Sequence, residues 1–293
     1  KDTALAYVLI GDLKTDDNDS LEEKLKFIQT ITNVIVVANE NKKLVKNQID
    51  QLVMQKELKL AADMQNMLVP HKLPNDEHIE ASAFYKPHKN IGGDYYDYVQ
   101  VSEEEIAFCI SDISGKGIPA AILMANFQAN MRILLTRKYD LRQFTDVLNS
   151  KVGEITKGEK FITMFIATYN TRTRKLTYVN AGHNPSILYS NGNIELLENG
   201  CTILGMFDNL PIINSGEVIL KPGDMIINYT DGLSEAMNND GTLFEVEGLV
   251  AFTHKHHSLA LTDFNTKLID HVIAFKQDTD FDDDITLLTL RFK

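Results

Sequence analysis

In four places a strand-like run meets aspartate: GGDYYD at Gly92 to Asp97, SDISGKG at Ser111 to Gly117, TDG at Thr230 to Gly232, and DDDIT at Asp282 to Thr286. Three of these lie beside an apolar run, AFCIS before Asp112, MIINY before Thr230-Asp231 and ITLLTL after Asp284. A single Asp-Gly is ordinarily a turn, and an acidic run such as Asp278 to Asp284 is ordinarily a solvated loop. Four such junctions spread along one chain carry more weight, because a carboxylate fixed by a buried strand is positioned for use. Gathered at one end of a sheet, the carboxylates would repel one another unless hard divalent cations neutralised them. Oxygen donors without a cysteine or paired-histidine set select Mg²⁺ or Mn²⁺ over Zn²⁺ or Cu²⁺. Two such ions about 3.5–4 Å apart acidify water and aim it in line at phosphorus. The glycine-lysine stretch SDISGKG lacks the spacing of an ATP-binding phosphate loop, since Gly117 follows Lys116. Its glycines instead let a carbonyl next to Asp112 turn toward a metal before Pro119 opens a helix.

The elements that must position these residues fall into two textures. The opening run Ala4 to Leu13 reads as a strand, and Leu21 to about Leu68 contains neither proline nor glycine, with apolar residues recurring at three and four. One or two long helices are predicted from that spacing, stopped by Pro70 and Pro74. So long an amphipathic helix cannot cover its own apolar stripe, so a second helix must. After Pro74 the pattern changes to short strands with turn signals near His78 to Lys86, Tyr95 to Val101 and Glu105 to Ile110. Helices are predicted from Pro119 to about Thr136 and from Leu141 to Ile155. A long β region comes next, in which Asn191-Gly192 marks a hairpin. Helices around Val246 to His256 and Leu261 to Ala274 precede the closing strand ITLLTLRF. Strands joined by tight hairpins run antiparallel, which gives an α+β fold, a four-layer α/β/β/α sandwich of two mainly antiparallel sheets, rather than a doubly wound parallel one.

The net charge of -12, from 41 acids against 29 bases, argues against a protein that wraps nucleic acid or lies on an anionic membrane. Two cysteines, Cys109 and Cys201, make no disulfide framework and point to a reducing cytoplasm. No window is expected to reach the roughly 18 apolar residues that span a bilayer. The chain opens on Lys1 rather than methionine, so a preceding part could hold a sensor or a membrane tether.

The motifs GGDYYD, SDISGKGIPAAI, NAGHNP, TDGLSEA and DDDIT, in this order across Leu73 to Phe292, resemble the SpoIIE/RsbU-type branch of the metal-dependent protein phosphatases, the PPM superfamily. The resemblance implies a β-sandwich flanked by helices, with a binuclear Mn²⁺/Mg²⁺ site at one end and a third ion that would bind more weakly. It implies hydrolysis of phosphoserine or phosphothreonine in a protein without a phosphoenzyme, the substrate being a phosphorylated anti-sigma antagonist of STAS type. Carried over motif by motif, the catalytic metal ligands are Asp94, Asp112 with the Ile113 carbonyl beside it, Asp231 and Asp283, with Asp284 the competitor for the last place. Asp112 would bridge the ions. Asp97 is open between a role at the metal site and a surface strand position. His183 reads as a structural histidine ahead of a proton donor, and His254, His256 and His257 as solvated. Lys86, Lys89 and Lys116 could draw a phosphate into an acidic site.

The first residues resemble the end of a GAF-type sensor domain, which divides the chain into a sensor remnant at 1–44, a coiled-coil-like helical linker at 45–72 and a phosphatase domain at 73–293. The competing expectation is a regulatory or scaffold module of the same fold that is inactive without its partner; a loss of metal-site carboxylates would signal it, and all are present. The uncovered stripe predicts a homodimer through the linker, so light scattering should give twice the chain mass, and a strict monomer at micromolar concentration would remove the idea.

Overall fold

A computed structural model of the chain describes residues 9, 11, 18–137, 139–279 and 281–293. The strand expected at Ala4 to Leu13 lies outside the described residues apart from Leu9 and Gly11. The chain divides into two compact units, residues 1–59 and 60–293. Helix α1 (Asn18–Asn66) is one continuous helix, the single-helix alternative of the two that the absence of proline and glycine allowed. Within the first unit its apolar side chains, among them Phe27, Val34, Leu44 and Leu52, stand exposed.

The second unit holds two sheets. One runs in the order β1-β11-β10-β6-β7, built from β1 (Ile79–Lys86), β6 (Ser186–Ser190), β7 (Asn193–Leu197), β10 (Met225–Tyr229) and β11 (Ile285–Phe292). The other runs β2-β3-β4-β5-β8, from β2 (Tyr95–Gln100), β3 (Glu105–Ile113), β4 (Ile162–Asn170), β5 (Lys175–Ala181) and the two-residue β8 (Gly200–Cys201), with β9 (Gly216–Ile219) also on β5. All ladders are antiparallel except β5 with β8, a short parallel pair that no hairpin signal announces. The β6–β7 turn is the expected one: Asn191 and Gly192 both have positive φ, 49° and 84°.

Alternation along the strands sorts the core into layers. On β11, Leu288, Leu290 and Phe292 face the other sheet, where Phe292 packs on Tyr169 of β4. Ile285 and Leu287 point the opposite way, into a second cluster with α5 (Glu245–His256) and α6 (Leu261–Lys276). The outer face of the second sheet is covered by α2 (Ile118–Leu135) and α3 (Leu141–Thr156), which bury Met124, Phe127, Phe144 and Leu148. The four-layer expectation is thereby met. Contrary to expectation, α2 is long and apolar enough by composition to cross a membrane; here it lies against the sheet, with Met124, Phe127 and Met131 buried at helical spacing.

Asp97 takes neither of the two places expected for it. It is buried, and its side chain turns away from the metal end toward α2, where Arg132 grips it with Nε at 2.7 Å and Nη2 at 2.9 Å. The Tyr95 hydroxyl and the Tyr98 backbone N–H also donate to it. This carboxylate is the polar rivet between α2 and the sheet. Asp97→Ala strands the hydroxyl, the amide and the guanidinium, and should cost about 3 kcal/mol in denaturant unfolding, whereas the double change Asp97→Leu with Arg132→Met should recover most of it.

Candidate metal centre

The strand termini bring the aspartates to one end of the sandwich. Asp94 enters β2, Asp112 lies near the end of β3, Asp231 follows β10, and Asp283 and Asp284 precede β11. The two sheets are tied there through Asp94, whose Oδ2 accepts from the Thr230 hydroxyl at 2.7 Å and the Thr286 hydroxyl at 2.5 Å. Thr230 in turn accepts from the Thr286 backbone N–H. Both threonines stand inside motifs, the T of TDG and the T of DDDIT, where the aspartates alone were expected to act.

The paired glycines exist because there is no room for anything else. A Cβ on Gly92 would collide with Asp284 Oδ2 and lie 2.5 Å from the Tyr85 hydroxyl, and one on Gly93 would lie 2.6 Å from the Ile113 carbonyl oxygen. The chain therefore passes close enough for the Gly93 N–H to donate to Asp284 Oδ2 at 2.5 Å. Asp284 Oδ1 accepts from the His88 N–H at 2.7 Å. Both oxygens of this buried carboxylate are engaged by backbone, so Asp284 shapes the loop around the centre. Asp283 differs: it is partly exposed, caps its own loop by accepting from the Asp284 N–H, and pairs with Lys116 at 2.9 Å. Lys116 also donates to the Asp282 carbonyl.

The carboxylates feel one another. Burial, then Asp231, Asp283 and Asp284, push Asp112 up to about 7. Burial and Asp112 drive Asp94 well above the usual carboxylate range, against the pull of the two threonine hydroxyls. Asp231 is raised by burial, by Asp283 and by Glu235. Asp94, Asp112 and Asp231 are thus each raised by acidic neighbours, Asp283 and Asp284 among them, with Lys116 the cation placed against Asp112 and Asp231. Among the described residues no three carboxylate, imidazole or thiol groups converge into a ready-made cage; Asp94 is held by threonines and Asp283 by lysine instead. In donor type and charge the residues fit a hard divalent cation: oxygens alone, in mutual repulsion, with the Ile113 carbonyl directed at the Gly93 backbone beside them. The Tyr85 hydroxyl, buried against Asp284 and Gly92, has no protein partner.

The histidines do not join the centre. His183 is buried and neutral, pushed down to about 4 by desolvation. Its Nε2 lies 3.1 Å from the Tyr229 carbonyl and its Nδ1 2.8 Å from the Thr163 hydroxyl. Donation from Nε2 to the carbonyl leaves Nδ1 to accept, so the ring steadies the end of β10 just before Thr230-Asp231. His257 stacks on Tyr189 and His256 packs on Phe252, which makes them part of a wall rather than a ligand set. Lys86 lies over the ring of Phe281 at the rim of a cleft of about 520 Å³ that also touches His88 and Asp283.

A raised carboxyl favours the folded state below its unfolded value, 3.8, and loses that advantage as pH rises through about 7. Asp112→Asn should therefore raise the melting temperature of chelator-treated protein at pH 8, by roughly 3–6 °C, and leave it unchanged at pH 3; calorimetric scans at the two pH values decide it.

The SpoIIE family, described as stage II sporulation protein E, matches residues 102–293. The phosphoserine phosphatase RsbU of Bacillus subtilis is 32% identical over 81% of this chain and 70% of its own length, and other curated relatives are matched over about half of theirs. Among solved structures, the SiaA-PP2C domain of Pseudomonas aeruginosa superposes with a TM-score of 0.69 at 19% identity, over 83% of this chain and 98% of that one. RsbX, solved in complex with magnesium, does so at 0.59 and 18% identity, over 76% and 99%. The order of the carboxylate motifs, the two facing sheets and the family match agree, and the chain belongs to the SpoIIE family, with the fold of PP2C-type phosphatase domains.

Proposed function

We propose that this SpoIIE-family phosphatase hydrolyses phosphoserine or phosphothreonine in a bacterial signalling protein, using two Mn²⁺ or Mg²⁺ ions held by Asp94, Asp112, Asp231 and Asp283 with the Ile113 carbonyl. The observation that carries this is the meeting of aspartates from several strand termini at one end of the two sheets, where Asp94, Asp112 and Asp231 are each raised by burial and by a neighbouring carboxylate. When bound, such ions supply Lewis acidity, acidifying water for attack on phosphorus and neutralising the phosphoryl oxygens. The chain's own residues prepare for that chemistry. Thr230 and Thr286 fix one oxygen of Asp94 and leave the other to a cation. Asp112 is raised first by burial and then by Asp231, Asp283 and Asp284, so a cation held there would relieve repulsion from several sides. Asp283 is preferred over Asp284 as the last ligand, because Asp284 spends both oxygens on backbone amides. Lys116 gives Asp283 a counter-charge and would be free to meet a phosphoryl oxygen if that carboxylate held a metal. The cleft beside Asp283, rimmed by Lys86 and His88, gives a phosphorylated side chain a way in.

The substrate we propose is a phosphorylated anti-sigma antagonist of STAS type, as the family resemblance implies. Regulation would run through the N-terminal helix, whose exposed apolar residues in the first unit suit a second copy of the same helix, downstream of a GAF-like sensor.

Phosphate release should be measured from an aryl phosphate and a phosphoserine peptide with Mn²⁺, with chelator, and with Asp112→Asn. Mn²⁺-dependent turnover that falls at least a thousandfold in the variant is expected. Intact Mn²⁺ binding without turnover would favour a module that waits for its partner, and no Mn²⁺ binding at all would overturn the proposal.

A further inference from the structure

We infer that Gln65, in the last turn of α1, is a positioning residue of the metal centre: its side-chain amide pairs with both backbone polar groups of Gly92 and so sets the turn that carries Asp94. The inference rests on the metal reading above and adds a residue that lies outside all five motifs. Gln65 is 4% exposed, and each of its polar atoms has a partner. Nε2 donates to the Gly92 carbonyl at 2.6 Å and contacts Met124 Sδ of α2 at 3.0 Å, while Oε1 accepts from the Gly92 N–H at 3.2 Å. A planar amide that gives one bond and takes one from the same residue repeats the pairing of a neighbouring β-strand, so it fixes orientation as well as position.

The two residues after Gly92 make that orientation matter. Gly93 donates to Asp284, and Asp94 accepts from Thr230 and Thr286. Three successive residues are therefore held by three separate parts of the fold: the helix by Gln65, the loop before β11 by Asp284, and the two strand ends by the threonines. Bare glycine backbone has no side chain of its own with which to resist rotation, and the clearance around Gly92 and Gly93 leaves no space for one. Without Gln65, the buried N–H and C=O of Gly92 lose their partners, and the turn is free to rotate until they find others. Such rotation moves the Asp94 backbone relative to Asp112 and the Ile113 carbonyl. Gln65 reaches no reacting atom, so its effect must appear in how tightly the centre holds metal rather than in the chemical step. It is also the point at which the helix itself grips the metal-end loop, which gives any change in the last turn of α1 a direct route to Asp94.

The test is Mn²⁺ binding by titration calorimetry on the full chain, with Mn²⁺-dependent aryl phosphate turnover alongside. Gln65→Leu should weaken Mn²⁺ binding about tenfold and raise the Mn²⁺ concentration for half-maximal turnover equally, with kcat at saturating Mn²⁺ within threefold of the parent. Amide hydrogen exchange at Gly92 and Gly93 should quicken in the same variant. Met64→Ala, on the exposed side of the same turn, should change none of these. If Gln65→Leu does not fold, Gln65→Glu keeps the acceptor for the Gly92 N–H, loses the donor for its carbonyl, and should weaken Mn²⁺ binding at least threefold. An unchanged isotherm in a folded variant, or a fall in kcat with unchanged Mn²⁺ dependence, overturns the inference. A parent chain that binds Mn²⁺ without turnover would count against the phosphatase reading alone, because the isotherms still compare parent and variant.

Discussion

Mutual repulsion among aspartates at one end of the sandwich is the constraint around which the second unit is arranged. Carboxylates from several strand termini lie close enough that Asp94, Asp112 and Asp231 are each raised by burial and by an acidic neighbour, and the fold holds them together against that cost. That energy must be met elsewhere. The interior between the sheets and the second cluster under α5 and α6 supply apolar burial on both sides of the central strands. The end itself is held by directed hydrogen bonds: two threonine hydroxyls on Asp94, two amides on Asp284, and the neutral ring of His183 behind Tyr229. A site that repels itself when empty of cations gains from whatever neutralises it, so stability and metal affinity draw on the same free energy.

The two kinds of aspartate in this chain show how environment divides one residue type between roles. Asp97 and Asp284 are buried with all their oxygens spent on donors, a guanidinium and a hydroxyl for one, backbone amides for the other. Such carboxylates have every oxygen directed at a donor of the protein itself. Asp94 keeps one oxygen clear of the two threonines, and Asp94, Asp112 and Asp231 are each raised by burial and by a neighbouring carboxylate. The adjacent pair Asp283-Asp284 makes the contrast sharpest, because a half-exposed carboxylate paired with Lys116 stands directly before a buried one locked to the loop.

Sequence made the strands, the helices and the motif aspartates legible because each rests on local signals: alternation, three-four spacing, breaker residues and Asn-Gly at a hairpin. It left out what depends on distant partners. Whether Asp97 faced the metal or the solvent could not be read from YYDY, because the deciding group, Arg132, lies on a helix far along the chain. The different surroundings of Asp283 and Asp284 depend on the His88 and Gly93 amides, and the two-residue strand β8 depends on the edge that β5 offers it. Thr230 and Thr286 sit within the motifs yet carry no pattern of their own, since a hydroxyl becomes a carboxylate's partner only when two sheets close over it.

Gln65 is the extreme of that class. In MQNML it is one polar residue near a helix end, and spacing alone would put it on either face. Its role comes from meeting a segment with no side chains to offer: Gly92 and Gly93 must be bare so that Asp284, Tyr85 and the Ile113 carbonyl can approach, and bare backbone must be held by something from outside. The same close packing that brings the carboxylates together therefore creates the need for the helix. A chain that shortened or turned α1 by one residue would keep every motif aspartate and still lose the partner of Gly92.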